Sequence, residues 1–140
     1  MSSSFNPYVF FNGDCAEAFA HYQSVFGGET RVMTMGDVPE DARMPGAPLE
    51  FVMHAALQIG DALLMGSDDP TGDGGPKVGS AVAYTTGDAE ESRKAFEALA
   101  VGGEITAPFG PTFWSAGFGM CTDRFGVPWM VDTAGEPPAG

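Results

Sequence analysis

PYVFFNGDCAEAFAHYQSVFGGE, residues 7–29, runs from an extended apolar segment through a turn into an amphipathic helix and leaves through a glycine pair. Pro7 to Asn12 reads as a strand, and Asn12-Gly13-Asp14 as a turn whose polar side chains suit a helix start. From Cys15 to Phe26, the residues Ala18, Phe19, Tyr22, Val25 and Phe26 fall three and four apart, which gives one apolar stripe to lay on a sheet. Gly27-Gly28 then ends the helix. The same order recurs later in the chain: an apolar strand at Ala81 to Tyr84, a helix at Ala89 to Ala100, and a Gly102-Gly103-Glu104 exit. Thr86-Gly87-Asp88 supplies the second turn, Asp88 with Glu91 marks the helix start, and Ser92, Ala95, Phe96 and Leu99 form the buried stripe. Each copy closes on a glycine turn feeding an apolar strand, Ile59 to Met65 in the first and Phe125 to Val131 in the second. One supersecondary unit is present twice.

The remaining segments complete each copy. Thr30 to Met35 is a second strand, and Gly36 to Pro48, with three prolines, is a long loop. Leu49 to Ile59 is a third strand. Simple alternation places Phe51, Met53, Ala55 and Leu57 on one face and Val52, His54, Ala56 and Gln58 on the other. Ala62 to Ser67 is the fourth strand. In the second copy the strands are Gly79 to Thr85, Glu104 to Ala107, Ala116 to Thr122 and Val127 to Thr133, with Phe109 to Trp114 a proline-bearing aromatic loop. DDPTGDGGPK, residues 68–77, has the composition of a linker, and its glycines follow no phosphate-cradling order. The expected fold is α+β: a single domain over residues 1–140 made of two β-α-β-β-β modules, 5–67 and 78–133, with a disordered tail at 134–140.

Six Lys plus Arg against 19 Asp plus Glu give a net charge of −13. Such a chain repels polyphosphate, which excludes nucleic acid as a partner class. No apolar run approaches the roughly 18 residues that span a bilayer. Cys15 and Cys121 form no metal or redox motif, and the start Met1-Ser2-Ser3-Ser4 lacks the regions of a secretory signal, so a reduced, cytoplasmic protein is expected.

Three segments, PYVFFNGDCAEAFAHYQSVFGGE at 7–29, FVMHAALQIGDALLMGSD at 51–68 and FWSAGFGMCTDRFGVPWMVD at 113–132, resemble the PhnB-like branch of the vicinal oxygen chelate superfamily, the glyoxalase, bleomycin-resistance and extradiol-dioxygenase relatives. The resemblance covers residues 5 to 133. It implies curved mixed sheets, a cavity between modules and a homodimer. In metal-dependent relatives, His, Gln or Glu side chains on the first and last strand of each module hold a divalent ion. Carried onto this chain, those positions fall on Pro7 and Ser80, and on Leu64 or Met65 and Met130. Thioethers are poor ligands for hard divalent ions, so neither a metal site nor another cofactor is expected. Some relatives of the branch are labelled ubiquinone-type methyltransferases, but no strand here leads into the glycine-rich loop and helix that such a cofactor needs.

The candidate pocket comprises Phe11, His54, Met65, Tyr84, Trp114 and Met130. His54, mid-strand among apolar neighbours, is the candidate acid-base residue, while His21 belongs at the edge of the first helix. The many methionines beside strands suit an irregular apolar ligand. Trp129 should face the core, opposite Met130, and Asp123-Arg124 should fix a turn. The leading expectation is a metal-free protein that binds an unknown small molecule; an acidic dimer sequestering a cationic drug is one version of it. The alternatives are a metal-dependent lyase, isomerase or dioxygenase with non-standard ligands, and a purely structural dimeric module.

Overall fold

The computed structural model describes residues 4–72 and 77–135. Residues 73–76 of the expected linker and 136–140 of the expected tail lie outside them. The chain divides into two compact units, Met1–Gly75 and Pro76–Gly140. Among the described residues no helix is long and apolar enough to cross a membrane.

Unit 1 runs β1 (Tyr8–Phe11), α1 (Cys15–Phe26), β2 (Glu29–Thr34), β3 (Val52–Ile59) and β4 (Ala62–Asp68). Its sheet has the order β1-β4-β3-β2, with β1 parallel to β4 and the other pairs antiparallel. Unit 2 repeats this with β5 (Val82–Thr86), α2 (Ala89–Ala100), β6 (Glu104–Gly110), β7 (Phe118–Thr122) and β8 (Pro128–Thr133), in the order β5-β8-β7-β6. The β-α-β-β-β duplication expected from the sequence is therefore present as two four-stranded mixed sheets with one helix each.

In unit 1 the stripe of α1 buries Ala18, Phe19 and Tyr22 with Val9, Phe11, Ala55, Leu57 and Leu64 of the sheet. Phe19 stands edge-on to both Phe11 (6.3 Å) and Tyr22 (5.8 Å), a preferred aromatic arrangement. The close approach depends on Gly66, where a Cβ would lie 2.7 Å from the Val9 carbonyl oxygen and 2.8 Å from the Phe19 ring. In unit 2, Ala95, Phe96 and Leu99 are buried with Cys121, Trp129 and Val131, and Phe96 meets Phe109 at 5.6 Å. Trp129 does face the core, and Asp123 does fix its turn. One Asp123 carboxylate oxygen accepts the Phe125 and Val127 N–H groups, and the other accepts Trp129 Nε1–H at 2.9 Å.

Three expectations need correction. Val52 does not share a face with His54. The pairing of β2 and β3 shifts register between Met33 and Thr34, so that Met33 faces His54 and Thr34 faces Val52; the extra residue, Met53, turns Val52 inward, where it is fully buried. The strand expected to end at Ala107 runs on to Gly110, so that only residues 111–114 of the expected Phe109–Trp114 loop are irregular; register shifts accommodate Pro108. Asp68 is not linker but the buried last residue of β4. The long loop after β2 contains two 3-10 turns, Met35–Asp37 and Glu40–Ala42. Arg43 Nε–H holds it by donating to the Met35 and Val38 carbonyls at 2.9 and 3.2 Å.

Candidate functional site

Each sheet has one face under its own helix and one face turned away from it, and the second face gathers the chemistry. Residues paired across neighbouring strands share a face. In unit 1 this puts Tyr8, Met65, Ala56 and Arg31 in one row across the four strands. Phe10, paired with Ser67, and His54, paired with Met33, point the same way. Tyr8 Oη lies 3.3 Å from His54 Nδ1, with the rings 5.8 Å apart, and Tyr8 also packs on Phe10 at 5.2 Å. Phe10 is 56% exposed, Met33 46% and Tyr8 38%, so apolar and aromatic surface stands uncovered by the unit's own core.

Unit 2 presents the counterpart. Ala83, Met130, Met120 and Ala107 form the row equivalent to Tyr8, Met65, Ala56 and Arg31. Thr85, Asp132 and Phe118 form the next row. Phe118 packs edge-on to Trp114 at 5.3 Å, and Trp114 to Phe113 at 4.8 Å. The segment bearing these rings is held by its own polar groups: Thr112 N–H donates to the Ser115 carbonyl, Thr112 Oγ1 accepts the Ser115 N–H, and buried Ser115 Oγ–H donates to the Gly117 carbonyl.

Of the residues expected in the pocket, His54 and Met65 lie on this face of unit 1, and Trp114 and Met130 on the corresponding face of unit 2. Phe11 and Tyr84 do not. Phe11 is 2% exposed against Phe19 under α1. Tyr84 is paired with buried Val131 and faces α2, where burial and the charge of Glu91 raise its phenol above the usual range. The same faces also carry Tyr8, Phe10, Arg31, Met33 and Phe118, which the sequence alone does not single out. In Tyr8-Val9-Phe10-Phe11 both alternating sets are apolar, so the pattern carried no signal for the face; the register with Met65 decides it.

The reactive groups are few. Cys15 and Cys121 are buried and free. Burial, reinforced by Asp68 and Asp14, pushes the Cys15 thiol far up, and burial with Asp123 raises Cys121 to about 11. Neither supplies a thiolate nucleophile near neutral pH. The residue across from Met65 is Tyr8 rather than Pro7, and the one across from Met130 is Ala83 rather than Ser80. Leu64 lies on the helix side. The phenol and thioether of unit 1 do not fit a hard divalent ion, nor do the methyl and thioether of unit 2, and among the described residues no group of three or more His, Cys, Asp or Glu side chains stands close enough to hold a metal.

A sequence profile of the Glyoxalase/Bleomycin resistance protein/Dioxygenase superfamily matches residues 4–131. The YjdN protein of Escherichia coli (strain K12) is 32% identical over 142 residues, which span 95% of this chain and 97% of YjdN. The crystal structure of protein PA1353 from Pseudomonas aeruginosa superposes with a TM-score of 0.85 at 42% identity, over 94% of this chain and 98% of that one. The PhnB protein from Bacillus cereus does so with a TM-score of 0.73 at 25% identity, over 94% and 100%. With its duplicated four-stranded sheets and these relatives, the chain belongs to the glyoxalase/bleomycin resistance protein/dioxygenase superfamily, in its PhnB-like branch.

Proposed function

We propose that this protein binds a small, largely apolar molecule against the sheet faces turned away from its helices. The observation that carries the reading is that the face away from the helix in each unit gathers aromatic and thioether side chains, Tyr8, Phe10, His54 and Met65 in unit 1 and Phe118, Trp114 and Met130 in unit 2, with Met65 and Met130 at equivalent registers. Ligand sites are mostly apolar walls with a few polar groups that orient the guest, and methionines adapt those walls to irregular shapes. His54, hydrogen-bonded to Tyr8, is a polar group available to orient a ligand. The reading includes a homodimer in a reducing, cytoplasmic setting. Sheet edges that a second copy can cover support the first, and two buried free thiols support the second.

Titration with the neutral fluorophore N-phenyl-1-naphthylamine tests the binding. Saturable enhancement that weakens in Trp114→Ala and Met65→Ala is expected, and no saturable signal overturns the reading. Metal analysis of protein purified without chelator separates it from a metal-dependent lyase, isomerase or dioxygenase, because stoichiometric divalent metal favours that rival. Light scattering on the same sample gives the subunit count.

A further inference from the structure

The six basic side chains of this acidic chain are not used alike. Arg43 donates to two carbonyls, Lys77 Nζ–H to the Phe125 carbonyl, and Arg93 and Arg124 stack on Phe109 and Phe125 at 4.9 and 4.7 Å. Lys94 is exposed on α2. Arg31 is the exception on a sheet. It is exposed in the middle of edge strand β2, has no hydrogen bond, ion pair or ring contact with any described residue, and shares its row with Ala56, Met65 and Tyr8. Ala56 offers only a methyl between Arg31 and Met65, which leaves a low floor. Strands about 4.8 Å apart set Arg31 and Tyr8, at the two ends of the row, roughly 14 Å apart between Cα atoms. Tyr8 and Phe10, on β1, stand at the far end of that floor, and His54, on β3 two residues from Ala56 and hydrogen-bonded to Tyr8, flanks it along one side.

We infer that this face of unit 1 takes a planar apolar molecule bearing a carboxylate, with Arg31 gripping the carboxylate and the plate lying over Ala56 against Met65 and the Tyr8–His54 pair. The inference rests on the small-molecule reading above and gives its ligand a chemical class. A guanidinium is always charged, and its fork matches a carboxylate in two parallel hydrogen bonds. The groups facing Arg31 on its own sheet are Glu29, two residues along β2, and Gln58, across from Glu29; Glu29 is exposed and forms no ion pair with it. The overall charge of −13 opposes an anion at a distance, but screening over about 8 Å at physiological ionic strength leaves a contact at Arg31 dominant. The local chemistry thus points away from the cationic drug that net charge alone suggested. Unit 2 carries no such grip: Ala107 stands at the position of Arg31, Phe118 at that of His54 and Asp132 at that of Ser67.

The experiment displaces N-phenyl-1-naphthylamine with 2-naphthoate and with its neutral analogue 2-acetonaphthone, at physiological ionic strength, on the full chain. Wild type should prefer the acid. Arg31→Gln should weaken 2-naphthoate about tenfold to a hundredfold, the range for a charged hydrogen-bond pair, while leaving the ketone and the fluorophore within about twofold; Arg31→Lys should recover part of the loss. Equal affinity for acid and ketone in wild type, or an Arg31→Gln effect that is absent or uniform across all three probes, overturns the inference and leaves the binding reading standing. Failure of all three probes to bind wild type overturns both. Near-UV circular dichroism confirms that each variant is folded; should Arg31→Gln fail to fold, the Arg31→Lys variant and the wild-type acid-to-ketone ratio decide the matter by the same criteria.

Discussion

The two units share strand order and a helix of 12 residues, yet they secure the start of that helix in opposite ways. In unit 2 the device is local: Asp88, immediately before α2, accepts the Glu90 N–H at 3.0 Å. In unit 1 the equivalent Asp14 makes no such bond. Asp68, more than fifty residues away, does the work from the end of β4. Its buried carboxylate accepts the N–H groups of Gly13 (2.7 Å), Cys15 (3.1 Å) and Val52 (2.9 Å), tying turn, helix and third strand together. At the same strand end unit 2 has Thr133, whose hydroxyl donates to the Gly117 carbonyl at 2.8 Å and lies 3.0 Å from Ser92 Oγ. At this strand end one fold thus tolerates either a buried charge satisfied by three backbone donors or a neutral hydroxyl cluster, because each satisfies its buried polar groups there.

The largest effect should come from breaking that asymmetry. Asp68→Ala leaves three backbone donors without an acceptor, two of them buried, and should cost about 4 kcal/mol, whereas Asp88→Ala removes one exposed cap and should cost about 1 kcal/mol. Urea unfolding of both variants decides it, and equal losses would show that the two helix starts are not held differently.

A second contrast concerns where each helix leans on its sheet. Gly66→Ala drives a methyl against the Val9 carbonyl oxygen, which is backbone and cannot yield, while Gly119→Ala meets chiefly the Phe96 ring, which can turn. Both should destabilise, within the roughly 1–3 kcal/mol typical of overpacking, with Gly66 the worse. Adding Phe96→Leu should relieve the second, and adding Phe19→Leu should relieve the first only in part, as melting temperatures would show.

The last contrast is a pH dependence confined to alkaline solution. Burial, with the charge of Asp123, holds the folded Cys121 thiol up at about 11, above the ordinary thiol value of roughly 8.5 of an unfolded chain. Below the unfolded value both states keep the proton and the stability is fully present. As pH rises from about 9 toward 11 the unfolded state sheds its proton first, so stability falls. The urea midpoint of wild type should decline across that window more steeply than that of Cys121→Ala; parallel slopes would remove Cys121 as the cause.

Much of the fold was legible because its signals are local. The helical stripes of Cys15 to Phe26 and Ala89 to Ala100, and the glycine pairs that end them, need no distant partner to be read. The site was legible only in part. Of the six residues expected to line a pocket, His54, Met65, Trp114 and Met130 lie on faces turned away from the helices, whereas Phe11 and Tyr84 lie on the helix side. Tyr8 and Phe10 were not legible in the sequence, because a strand apolar at consecutive positions does not declare which alternate set turns inward, and Arg31 joins their face only through the register of β2 on β3. The Met33/Thr34 register shift, which sends Val52 to the core, likewise has no trace in β3 itself.

By itself, then, the sequence determined the duplicated order of strands and helices, the turns between them and the acidic, cysteine-poor character of the chain, since each follows from short-range periodicity, turn chemistry and composition. Only the tertiary structure decided which face each residue occupies and which distant carboxylate caps α1. A strand shifted by one residue exposes its opposite face, and a hydrogen bond between Asp68 and Gly13 exists only once the folded sheet brings them together.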